Sequence, residues 1–157
     1  MVRSGEVTGY AVLRDYPLRL WALQEQHTEE LLREFNLLLL GQESGQASHE
    51  VPAQLVALAA MFTNDFGTLL DELSQVRRAA YESGADRMDS TVPLVPDTEA
   101  LLEGARRVIV AVDEFCARGD LLALSRPPEL RALSDWTFDE LIRQHQGGSP
   151  IPWPGPF

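Results

Sequence analysis

The sequence predicts an all-α protein: an antiparallel four-helix bundle, three helices long and one short, with an extended proline-rich C-terminal tail. Three observations carry this expectation. Apolar residues recur in steps of three or four along three segments, as a helix of 3.6 residues per turn requires of one buried face. Glycine or proline stands near the place where each segment should start or stop. The last nine residues alternate proline with other residues, which forbids helix and favours extended, polyproline-like backbone.

At the N-terminus, Val7 to Leu13 could form a short extended piece, weakened by Gly5 and Gly9. Pro17 suits a first helical turn. From Leu18 to Leu40 the stripe positions are Leu18, Trp21, Thr28, Leu31, Leu32, Phe35, Leu38 and Leu39, and Glu25 interrupts them. Gly41 is the expected stop. A polar connection, Gln42 to Glu50, leads to Pro52 and the second helix. Its stripe is the most regular: Leu55, Leu58, Phe62, Phe66, Leu69, Leu73, Val76 and Ala80. Ending near Ser83 before Gly84, it would be about 32 residues and roughly 48 Å long. Its last turns, with Val76, Ala80 and Tyr81, should overhang the shorter helices, and Gly67 offers a bend point. Arg77 and Arg78 suit the negative end of its dipole.

Ala85 to Pro96 reads as a linker. The third helix begins near Asp97, a capping residue, and carries Leu101, Ala105, Val108, Val112 and Phe115 on one face. Arg118 and Gly119 close it, and Leu121, Leu122 and Leu124 form an apolar connector. Pro127 to Leu130 reads as a brief helical turn. Thr137-Phe138-Asp139-Glu140 fits a capping box, with Trp136 and Leu141 as a hydrophobic staple, so a short last helix should start there and end by Gly147. The organisation is then one domain over residues 1–148 and a tail over residues 149–157, consistent with a chain of 157 residues.

The charge narrows the partners. With 24 acidic and 13 basic residues the net charge is −11, and all the basic residues are arginine. Neither nucleic acid nor an anionic membrane surface suits such a chain. The absence of lysine also excludes a phosphate-binding P-loop. The longest apolar run, Leu37 to Leu40, is too short to span a bilayer, and no leader-like apolar segment is visible. A cytoplasmic protein is expected.

Chemistry-bearing patterns are few. His27, His49 and His145 lack the spacing of zinc ligands, and none has a glutamate three residues before it, as a di-iron bundle would. Cys116 lies on an apolar flank and reads as a small buried hydrophobe. No G-x-S-x-G or G-x-G-x-x-G occurs. Glu25 within the first stripe, His27 beside it and Asp65 bordering the second form a candidate polar core site. The tail carries Trp153 and Phe157 on a stiff backbone, an arrangement that serves either self-packing or docking on a partner. No cofactor is expected.

Asp15-Tyr16-Pro17-Leu18-Arg19-Leu20-Trp21, His49-Glu50-Val51-Pro52, the run from Val112 to Leu122 and the ending Trp153-Pro154-Gly155-Pro156 together resemble small uncharacterised all-helical proteins of actinobacteria associated with anti-sigma-factor regulatory systems. The resemblance covers most of the chain and implies a role in a regulatory partner switch. It transfers no functional residue.

The reading is a non-enzymatic regulatory or adaptor protein that acts through another protein and pairs as a homodimer. Trp153, Phe157, Val76, Ala80 and Tyr81 are its candidate contact residues. The alternative is a bundle that binds a small ligand or metal, possibly as an enzyme, through Glu25, His27 and Asp65.

Overall fold

The computed structural model describes residues 6–43, 71–119 and 126–157. In chain order these form β1 (Gly9–Pro17), α1 (Leu18–Glu43), α2 (helical over 71–82), β2 (Arg87–Leu94), α3 (Thr98–Ala117) and α4 (Pro128–His145). The fold is therefore mixed α and β rather than an all-α helical bundle. The second-helix stripe from Leu55 to Leu69, the bend at Gly67 and the Leu121–Leu124 connector lie outside the described residues.

The correction begins at the N-terminus. The extended piece continues past Leu13 to Pro17 and pairs antiparallel with the segment read as a linker, Gly9 opposite Leu94 and Pro17 opposite Arg87. Burial alternates as a half-covered sheet requires: Ala11 and Leu13 on β1, and Ser90, Val92 and Leu94 on β2, face inward. Pairing shifts register between Leu13 and Tyr16, where Arg14 and Asp15 oppose a single residue. Asp15 takes a left-handed conformation at φ 53°, which aspartate tolerates better than most residues, and its N–H donates to Asp89 Oδ1 at 3.1 Å.

α1 then starts at Leu18 and runs through Gly41, which does not stop it. α2 ends as the sequence expects: the Ala85 N–H donates to the Ala80 carbonyl and that of Gly84 to Tyr81, with Gly84 at φ 91°. The chain turns directly into β2, so this end of α2 is tied to the sheet rather than overhanging. Arg77, not Val76, occupies its inward position between Leu73 and Ala80. α3 buries Ala105, Val108, Val112 and Cys116, close to the expected stripe. Asp97 makes no side-chain cap; the Thr98 hydroxyl instead accepts from Val95 N–H and donates to its carbonyl.

α4 is one helix of 18 residues, not a turn followed by a short helix. Pro128 in its first turn sets the start, where a missing N–H costs nothing. Thr137 lies mid-helix, and its hydroxyl donates back to the Leu133 carbonyl at 2.7 Å, so no capping box forms. α4 packs against β1, α3 and α1. The core lies between these elements, with Leu13, Pro17, Leu18 and Leu133 wholly enclosed.

Candidate functional site

Two polar regions flank this core. The first joins α4 to β1 and the tail. Gln144 makes a reciprocal pair with the Val12 backbone, Nε2 donating to its carbonyl and Oε1 accepting from its N–H, both at 2.9 Å. It thereby acts as a short third strand on the edge of β1. The Arg14 carbonyl, displaced at the register shift, accepts from the Trp153 N–H at 3.0 Å. Trp153 is buried, its ring edge-on to Trp136 at 5.3 Å and its indole N–H donating to the Pro156 carbonyl. Glu140, 4 % exposed, accepts from Arg143, from Gln144 Nε2 at 2.8 Å and from the Ile151 N–H at 3.2 Å. Burial pushes the Glu140 carboxyl up, but these hydrogen bonds and the Arg143 charge outweigh it and hold its pKa below the ordinary value.

The second region is a partly open cavity of about 370 Å³ lined by the sheet, α1, α2, α3 and α4. Its walls are apolar: Val92 and Leu94 from β2, Leu102, Ala105 and Ile109 from α3, Phe138 and Leu141 from α4. Such a volume lies within the range of small-molecule sites. Its polar lining residues divide into two groups. The hydroxyls of Thr98, Ser134 and Thr137 are already engaged, with Val95, Arg126 and Leu133. Gln24 and Arg77 are not fully engaged. Gln24 Oε1 is the one buried side-chain oxygen or nitrogen without a hydrogen-bond partner among the described residues.

Arg77 is 9 % exposed. Its Nε donates to Ser90 Oγ at 3.2 Å and its guanidinium lies 4.3 Å from the centre of the Tyr16 ring, but it has no carboxylate partner among the described residues. A cation on an aromatic face gains about 0.5–2 kcal/mol. Burying an ion without a carboxylate partner ordinarily costs several kcal/mol. Arg126 shows the usual solution nearby: 10 % exposed, it grips Asp113 with Nε and Nη2 at 3.2 and 2.7 Å. Tyr16 is enclosed, and burial pushes its phenol pKa up against the opposing effect of Arg77, keeping it neutral.

The residues singled out from sequence fall elsewhere. Glu25 accepts from Ser74 Oγ at 3.2 Å and lies 3.7 Å from Arg78, tying α1 to α2. His27 is on the same helix, partly exposed, and Asp65 and His49 lie outside the described residues. No group of three or more potential metal ligands occurs among the described residues. Val76 and Tyr81 are 57 % and 45 % exposed, while Ala80 packs on the core. Phe157 is exposed, with the Arg87 guanidinium 4.9 Å from its ring centre. His145 meets Glu99 at 3.2 Å. Burial first, then the nearby Asp113 and Glu34 charges, push the Cys116 thiol up to about 11, which makes it a poor nucleophile.

Sequence reasoning missed the cavity and its arginine. The available signal was spacing: Leu73, Arg77 and Ala80 share one helical face, so a charge stands where the stripe calls for an apolar residue. No helix among the described residues is long and apolar enough to cross a membrane. No family model matches this chain, and comparison with curated proteins and with solved structures finds no match.

Proposed function

We propose that this protein is a regulatory module that binds a small molecule in the cavity between its sheet and helices. One observation carries the reading: a mostly apolar cavity of about 370 Å³ holds a buried arginine with no carboxylate partner among the described residues. Interiors are ordinarily close-packed and their charges paired, so an open volume beside an unpaired charge is costly unless something occupies it. A regulatory use of such binding, rather than catalysis, is part of this proposal. A cytoplasmic setting belongs to the proposal, and the single buried, unpaired cysteine suits a reducing compartment.

The test is a thermal-shift screen with small amphiphiles on the intact chain and on Ala105→Phe. Ala105 is 5 % exposed and lines the cavity, so the larger ring fills it. A binder at about 100-fold above its Kd should raise Tm by about 5–10 °C. That rise should vanish in the filled variant. No shift with any compound, or shifts unaffected by filling, would reject the reading.

A second reading, contact with another protein or a second copy, rests on the exposed Val76 and Tyr81 of α2. Light scattering should then show a dimer that Val76→Asp dissociates. A monomer at tens of micromolar with no recoverable partner would remove it.

A further inference from the structure

The cavity has a polarity of its own. Among the described residues that line it, Arg77, Gln24 and the Tyr16 hydroxyl have unused polar capacity, and Arg77 is the one that carries a charge. Arginine stays charged at all ordinary pH values, and its planar fork matches a carboxylate. The guanidinium uses Nε on Ser90 and one face on Tyr16. Its Nη donors meet no acidic group among the described residues. A neutral ligand would leave the ion as uncompensated as it is now, and a cationic one would repel it. A phosphate would bring more charge than a single arginine neutralises.

Resting on the ligand-binding reading above, we infer that the cavity takes an apolar carboxylic acid, its carboxylate on the Arg77 guanidinium and its apolar body between β2, α3 and α4. The volume is sufficient for about a dozen non-hydrogen atoms at about 30 Å³ each, the size of a medium-chain fatty acid or a compact aryl acid. Gln24 Oε1 accepts from a hydroxyl or N–H of a suitably substituted acid, or from a bound water. The Thr98, Ser134 and Thr137 hydroxyls are satisfied internally and impose no further polarity on the ligand.

The probes are decanoate, 1-decanol and decylamine, titrated calorimetrically into the full chain below their aggregation limits. Decanoate should bind saturably, 1-decanol about tenfold or more weaker and decylamine not at all, as the loss of a charge-assisted hydrogen bond requires. Arg77→Met should bring decanoate down to the level of 1-decanol and leave the alcohol unchanged. Arg77→Lys, which keeps the charge without the fork, should fall between and serves if the Met variant does not fold. Ala105→Phe should remove binding of both acid and alcohol. Equal affinity for acid and alcohol, or decanoate binding untouched by either Arg77 substitution, would overturn the carboxylate assignment and leave the cavity reading standing. If none of the three probes binds but neutral compounds shift the melting point in a filling-sensitive way, the assignment also falls alone. If no compound does so, both fall together.

Discussion

The two polar regions beside the core follow opposite rules. On the tail side every buried polar group named above is matched: Glu140 accepts from three residues, Gln144 closes the edge of β1 and Trp153 uses both of its N–H groups. On the cavity side Arg77 is charged without a counter-ion among the described residues, and Gln24 Oε1 has no partner. The same chain thus demonstrates that it can satisfy its polar groups and, a short distance away, leaves two unsatisfied. Saturated polar groups hold a structure together. Unsaturated ones have interaction capacity to give to something else.

Three substitutions separate these roles. The largest effect is expected from Trp153→Ala, which removes the Trp136 ring contact and the indole bond to the Pro156 carbonyl. It should destabilise by about 3–5 kcal/mol in urea unfolding, the range for large aromatic truncations. A loss under about 1 kcal/mol would show that the tail merely rests on the body.

Next comes Glu140→Gln, which weakens charge-assisted bonds to Arg143, Gln144 and Ile151 and should cost about 1.5–3 kcal/mol near neutrality. The effect depends on pH in a fixed direction. The folded pKa of Glu140 is lowered, so its contribution is present above the ordinary value of 4.5 and lost as pH falls through the folded pKa. The gap between the parent and the variant should narrow on acidification. A constant gap from pH 7 to pH 3 would assign the loss to packing rather than charge.

The smallest effect on stability is expected from Arg77→Met. Removing an uncompensated buried cation should leave stability within about 1 kcal/mol of the parent, or raise it. A loss as large as that of Trp153→Ala would make Arg77 a structural residue and dissolve the contrast.

How much of this was legible depends on how local each determinant is. The α3 stripe was readable because Ala105, Val108 and Val112 repeat at helical spacing and are buried as such. The sheet was obscured at both strands. β1 contains an irregular register at Arg14 and Asp15, and β2 places Ser90 where alternation calls for an apolar residue, because Ser90 serves Arg77 on another element. Pro93 and Asp89 further lower its apparent strand character. The Thr137 capping pattern misled because the same residues can back-bond within a helix, and Pro128 had already supplied a start nine residues earlier. The cavity depends on elements distant in sequence. Only the misplaced charge at position 77 was there to mark it.

The register shift in β1 has a consequence during synthesis. The displaced Arg14 carbonyl and the Val12 backbone find their partners at Trp153 and Gln144, more than 130 positions later. While those residues are still inside the ribosome, β1 presents an unprotected edge, the kind of surface on which neighbouring chains pair. The tail is thus a late-arriving guard. A chain truncated before Gln144 should emerge with its first strand open to aggregation, whatever the fate of the cavity.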